Sequence, residues 1–185
     1  SQEGWCTLVG HRFMGMTLRI DLVGAPSSPQ RTPNSRATLP RRAVDLTQPP
    51  GRDFHTHDAR LPPLEASRTH RVDLTVRERE LEVAPATTLA AMTYNGQFMG
   101  PVLRARLGDR MQVHLVNDGS MGHSIDFHAS RTSPDTTMRT ISPGRSLDVE
   151  FTIDHAGIWL YHCSTMPMSA HIAAGMFGAL IVAPA

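Results

Sequence analysis

Lysine is missing from this 185-residue chain: its 18 basic residues are all arginine, and against 17 acidic residues they leave a formal net charge of +1. A balance so close to neutral offers no electrostatic footprint for nucleic acid or an anionic membrane, so neither is expected as a partner. The arginine bias reads as the composition of a GC-rich, bacterial genome and carries no chemistry. Aromatic residues are scarce, at 5%, and 14 Gly with 14 Pro favour turns over long helices. No apolar run reaches the roughly 18 residues that a membrane-spanning helix needs, and no signal-peptide pattern is visible. The first residue is Ser1, which suggests a processed product or a piece of a longer protein. Cysteine occurs only as Cys6 and Cys163, which excludes a disulfide framework; each has His and Met close by in sequence, a setting that points to a use other than pairing.

What is present divides into three textures. Residues 1–24 end in the alternating apolar run Met16, Leu18, Ile20 and Leu22, which predicts one strand. Residues 25–65 are dense in Pro, Ser and Arg without hydrophobic periodicity, and read as a semi-extended, mobile linker. Residues 66–185 consist of short alternating segments separated by turn signals such as Asn95-Gly96, Gly108-Asp109 and Pro143-Gly144. Strands are predicted over 71–83, 89–94, 102–106, 110–116, 123–128, 146–153, 157–162 and 178–182. That spacing belongs to an all-β protein, a Greek-key β-sandwich, preceded by the Pro/Arg-rich linker.

The chemistry is concentrated near the end. Cys163, His171 and Met176 share one short stretch, and His123 lies forty residues upstream. Taken singly these are ordinary core residues. Together, a thiolate, two imidazoles and a thioether are the soft, mixed donor set of a blue-copper site, in which Cys and two His bind in a plane and Met lies on the axis. Met166 and Met168 compete for the axial role but sit within five residues of Cys163, so Met176 is the expected ligand. His162 precedes Cys163, and His128 follows His123 by five positions. Strand alternation turns His128 and His162 away from the first site and makes both available to a second metal. Asp126, between His123 and His128, is by residue type either a solvated carboxylate or a proton relay.

These residues resemble a known family. HSIDFHA, the HC pair followed by His and Met, and TYNGQ with GP, LR and GD downstream are similar to the first cupredoxin domain of copper-containing nitrite reductases and related multicopper oxidases. The resemblance runs over residues 66–184 and implies a cupredoxin-like sandwich. It implies type 1 copper on His123, Cys163, His171 and Met176, fed by an electron-donor protein. It also implies type 2 copper on His128 and His162, reducing nitrite to nitric oxide with Asp126 holding substrate and delivering protons. The third type 2 histidine in that family comes from a second cupredoxin domain across a homotrimer interface, and the chain reaches Ala185 before any such domain. Laccase-type oxidases carry His-Cys-His; here Ser164 follows Cys163, which argues against a trinuclear oxygen-reducing centre. The alternatives are a pure electron-transfer blue-copper module, with His128 and His162 unoccupied, and a multicopper oxidase acting on another substrate. By chemistry and family the expected location is extracytoplasmic.

Cys6, His11 and Met16 repeat the Cys, His and Met order at short-loop spacing and resemble the closing ligand loop of a preceding cupredoxin, a tethered electron donor whose upstream His is absent. His55 and His57 in the linker read as solvated side chains. His70, His114 and His155 show no partner in sequence, and Trp159 and Tyr161 read as strand packing.

Overall fold

The computed structural model describes residues 2–5, 17–20, 44–52 and 54–184. Near the start, β1 (Gln2–Trp5) and β2 (Thr17–Ile20) pair antiparallel, and β2 falls within the predicted strand of residues 16–22. The chain then forms β3 (Thr69–Ala84), β4 (Thr87–Tyr94), β5 (Leu103–Arg106), β6 (Arg110–Asn117), β7 (Asp126–Phe127), β8 (Ser146–Thr152), β9 (Gly157–His162) and β10 (Phe177–Ala183). These make two four-stranded sheets, in the orders β4-β3-β6-β8 and β5-β10-β9-β7. The pairs β3 with β6 and β5 with β10 are parallel, so each sheet contains a crossover. This is the all-β sandwich that the strand spacing predicted, in the cupredoxin-like form that the resemblance implied.

The layers follow from period-2 patterning. In β6, Met111, Val113 and Leu115 are buried while Arg110, Gln112 and His114 face outward; β8 buries Leu147, Val149 and Phe151 in the same way. The facing sheet contributes Phe127, Tyr161, Leu180 and Val182. Phe127 stacks on Tyr161 at 5.4 Å and meets Phe151 of the other sheet at 4.9 Å, so aromatic packing bridges the layers.

Four local expectations are corrected. The predicted strand over 123–128 shrinks to Asp126–Phe127, and His123 instead forms an isolated bridge with Ile141. The Asn117 side-chain amide donates to the Met121 and Ile141 carbonyls, which holds this segment as a shaped loop instead of a ladder. The connection from β9 to β10 is not a plain turn, for it contains the helix α2 (Met168–Ala173). A further helix, α1 (Pro134–Thr137), precedes β8 and was not foreseen. The described part of the Pro-rich segment is tied down: Arg104 Nη1 donates to Pro62 O at 2.9 Å, Arg106 Nη1 to Glu65 O at 2.6 Å, and Gly51 N–H to the Glu82 carboxylate. Carbonyls in a Pro-rich, ladder-free segment remain available, and the guanidinium donors of β5 take them.

Met99 adopts φ +57, a region closed to proline, whose ring holds φ near −65°.

Candidate metal centre

Four elements converge on one buried point. His123 arrives on the loop after β6, Cys163 is the first residue past β9, His171 lies on α2, and Met176 immediately precedes β10. All four are buried. Cys163 Sγ lies 3.9 Å from His123 Nδ1 and 3.5 Å from His171 Nδ1, and the two Nδ1 atoms are 3.2 Å apart. A metal about 2.0 Å from nitrogen and about 2.3 Å from sulfur in a trigonal plane separates its ligand atoms by roughly 3.5–3.7 Å. The triangle of donor atoms thus fits one such ion. Met176 is held beside it through the backbone, for Cys163 N–H donates to Met176 O at 3.0 Å and Met176 N–H to His171 O at 3.1 Å.

The electrostatics favour the ligand forms of Cys163 and His171, while His123 is held toward its protonated form until a metal displaces the proton. Burial raises the Cys163 thiol, but hydrogen bonds with His123 and from the Ser124 and Thr165 backbones outweigh it and bring the group below its ordinary range. Burial lowers His123, yet contacts with Cys163 and Glu78 raise it on balance. Burial, then the charge of His123, lowers His171. Glu78 on β3 takes the outer nitrogen of His123, Nε2 to Oε1 at 3.1 Å, which leaves Nδ1 aimed at the sulfur.

A second cluster adjoins the first. His128 Nε2 and His162 Nε2 are 3.0 Å apart, and Asp126 Oδ2 lies 3.5 Å from His128 Nε2. His162 Nδ1–H donates to the Cys163 carbonyl at 2.9 Å, leaving its Nε2 as the lone-pair nitrogen. Asp126 is buried and accepts a hydrogen bond from the Thr137 hydroxyl at 3.3 Å, so it is not a solvated carboxylate. The clusters are linked by one peptide bond, between His162 and Cys163.

The remaining sequence-stretch residues fall out differently. Met166 is exposed and Met168 half-buried, while Met176 is fully buried. Cys6, His11 and Met16 lie outside the described residues. His55 and His57 are exposed. The other histidines do have partners: His70 is buried against Asp109 at 2.7 Å, His114 Nδ1 meets Asp148 at 2.7 Å, and His155 lies 3.4 Å from Asp154. Each carboxylate is far away or in an unpatterned turn, which hid the pairing. Glu78, Ser124, Thr137 and Thr165 were missed as supports. No local motif marks them; Glu78 is 45 positions from His123.

The model of the multicopper oxidase family matches residues 75–185. The copper-containing nitrite reductase of Rhizobium sullae is 35% identical over 153 residues, which cover 80% of this chain and 40% of that protein. That of Alcaligenes xylosoxydans xylosoxydans is 34% identical, over 79% of this chain and 44% of the relative. Among solved structures, the copper nitrite reductase from Nitrosomonas europaea superposes with a TM-score of 0.60 at 37% identity, covering 63% of this chain and 42% of that one. A multicopper oxidase gives the same TM-score and coverage at 34% identity. The chain spans less than half the length of these relatives. Copper is the metal that suits both the donor set and the kinship, and by sequence and fold the chain belongs to the multicopper oxidase family.

Proposed function

We propose that this chain is the copper-binding redox domain of a copper-containing nitrite reductase, catalysing nitrite + e⁻ + 2H⁺ → nitric oxide + water. The observation that carries the reading is the shared His162–Cys163 dipeptide, one side chain in each cluster, with Asp126 beside the second. Copper would supply one-electron redox chemistry at His123, Cys163, His171 and Met176, and Lewis acidity at His128 and His162.

The chain's own residues prepare the rest. The Cys163 carbonyl, by accepting the His162 Nδ1 proton, keeps that ring in the ligand tautomer and couples the two clusters through the backbone. Asp126, steadied by Thr137, is the group at hand to hold and pass a proton to a nitrite oxygen. Ser164 after Cys163 deprives the chain of the His-Cys-His pattern of a trinuclear oxygen-reducing centre.

Among the described residues, the second cluster holds two imidazoles, His128 and His162, beside Asp126, one fewer than the three the proposed type 2 site needs. Alternation puts Ile158 and Leu160, which are exposed, on the outer face of the same sheet as His162. Apolar surface beside an incomplete ligand set suits an interface, so a second cupredoxin domain in a homotrimer is the proposed source of that histidine. A donor protein, or a tethered preceding domain, would supply the electron, and the proposed location is extracytoplasmic.

Copper-loaded full-length protein should give two paramagnetic copper signals and turn over nitrite. H128A should abolish turnover while leaving the thiolate charge-transfer band, and C163A should remove the band. A single signal without turnover would replace this reading with an electron carrier.

A further inference from the structure

Ser124 is fully buried beside the Cys163 sulfur, and its neighbours dictate where its proton goes. Its Oγ accepts from Ser164 N–H at 3.0 Å and from the Thr165 hydroxyl at 3.1 Å. A hydroxyl has two acceptor lone pairs and one proton, so with both lone pairs used the Ser124 O–H must donate. Cys163 Sγ, 3.8 Å away, is there to receive it, and Ser124 N–H donates to the same sulfur at 3.4 Å. Thr165, its single proton committed to Ser124, accepts in turn from Thr140 at 2.9 Å. Thr140 is exposed and Thr165 half-buried. Three hydroxyls, all oriented inward, therefore run from the surface to the sulfur.

We propose that Thr140, Thr165 and Ser124 form a directed hydroxyl relay that ends on Cys163 Sγ and raises the reduction potential of the copper held there, with Ser124 as the positioning residue at its inner end. This rests on the first cluster being a copper site. Hydrogen bonds to a thiolate draw electron density off the sulfur, which weakens its donation to the metal and favours the reduced ion. Aligned hydroxyls polarise one another, so the outer threonines strengthen the innermost bond.

The test is a redox titration of the charge-transfer band in the copper-loaded full-length protein. S124A should lower the potential by an amount equivalent to about a tenfold change in the reduced-to-oxidised ratio, about 59 mV for one electron. T165V, which leaves Ser124 in place but frees its proton to turn elsewhere, should shift the potential in the same direction by less, and T140V by less again. In the S124A background T165V should add nothing. A purely structural tie between the ligand loops predicts altered melting temperature with no change of potential, and that result in S124A or T165V would overturn the relay. T140V and T165V, at exposed and half-buried positions, keep the test open if S124A does not fold. Absence of the band in unsubstituted copper-loaded protein would instead overturn the copper site, so the two failures are distinguishable.

Discussion

Glu78 shows what a single side chain contributes at the metal end. One carboxylate oxygen accepts from His123 Nε2 at 3.1 Å and the other from Ser120 N–H at 2.8 Å, so the residue orients a ligand and its loop at once. A negative charge there favours the more oxidised metal. Glu78→Gln should therefore raise the reduction potential by about 40 mV, the equivalent of roughly 1 kcal/mol, in a redox titration. Without metal the same pair makes stability depend on pH. Burial raises Glu78, but His123 and Ser120 bring it below 4.5 on balance, so its contribution is complete above that value and is lost as pH falls through the folded pKa. His123 is held above 6.5, so its contribution is complete below that value and is lost as pH rises through the folded pKa. The metal-free protein should gain most from the pair between about 4.5 and 6.5, and melting curves of E78Q across pH should lack that gain.

At the scale of elements, the strands matter through where they deliver side chains. Tyr94 ends β4, is fully buried, and donates its hydroxyl to the Ser124 carbonyl at 2.7 Å, tying one sheet to the ligand loop. Burial holds its hydroxyl well above the usual phenol range, so it stays a donor. Tyr94→Phe leaves that carbonyl without its partner and should cost about 1–2 kcal/mol in denaturant unfolding. Gly178 on β10 lies against the Tyr161 ring so closely that an added Cβ would collide with it. Tyr161 also donates to Pro101 O at 2.6 Å and stacks on Phe127, so it has little room to yield. Gly178→Ala should destabilise by about 1–3 kcal/mol, and displacement of Tyr161, next to His162, should disturb the copper spectra.

For the molecule as a whole, the turn between β5 and β6 is closed by a buried charge. Asp109 is fully buried; its Oδ2 accepts from His70 Nε2 at 2.7 Å and from Arg106 N–H at 2.8 Å, and Arg68 Nε lies 2.8 Å from Oδ1 as an ion pair. Burial opposes the charge, but these partners outweigh it and hold the carboxyl below 3.8. The stabilisation is thus present above 3.8 and is lost as pH falls through the folded value. Asp109→Asn should cost about 2–3 kcal/mol at neutral pH and flatten the loss of stability in strong acid, as read by denaturant titration at several pH values.

Much of this was legible beforehand, for definite reasons. Alternation in segments such as 110–116 and 146–153 is a local signal, so the sandwich could be inferred from it. Ligand chemistry is local too: Cys163, His171 and Met176 sit within one connection, and the adjacency of His162 and Cys163 is covalent. The amino-acid sequence by itself thus determined the strand faces, the donor types and the link between two clusters. Tertiary structure alone decided what surrounds them. Glu78 meets His123, Ser124 meets Cys163 and His70 meets Asp109 only because sheet pairing closes separations of 45, 39 and 39 positions, which no short-range pattern encodes. The loop at His123 arises likewise from long-range bonding, to Ile141 and from Asn117, that overrides strand alternation, and it is this closure that brings His123 to the donor atoms of Cys163 and His171.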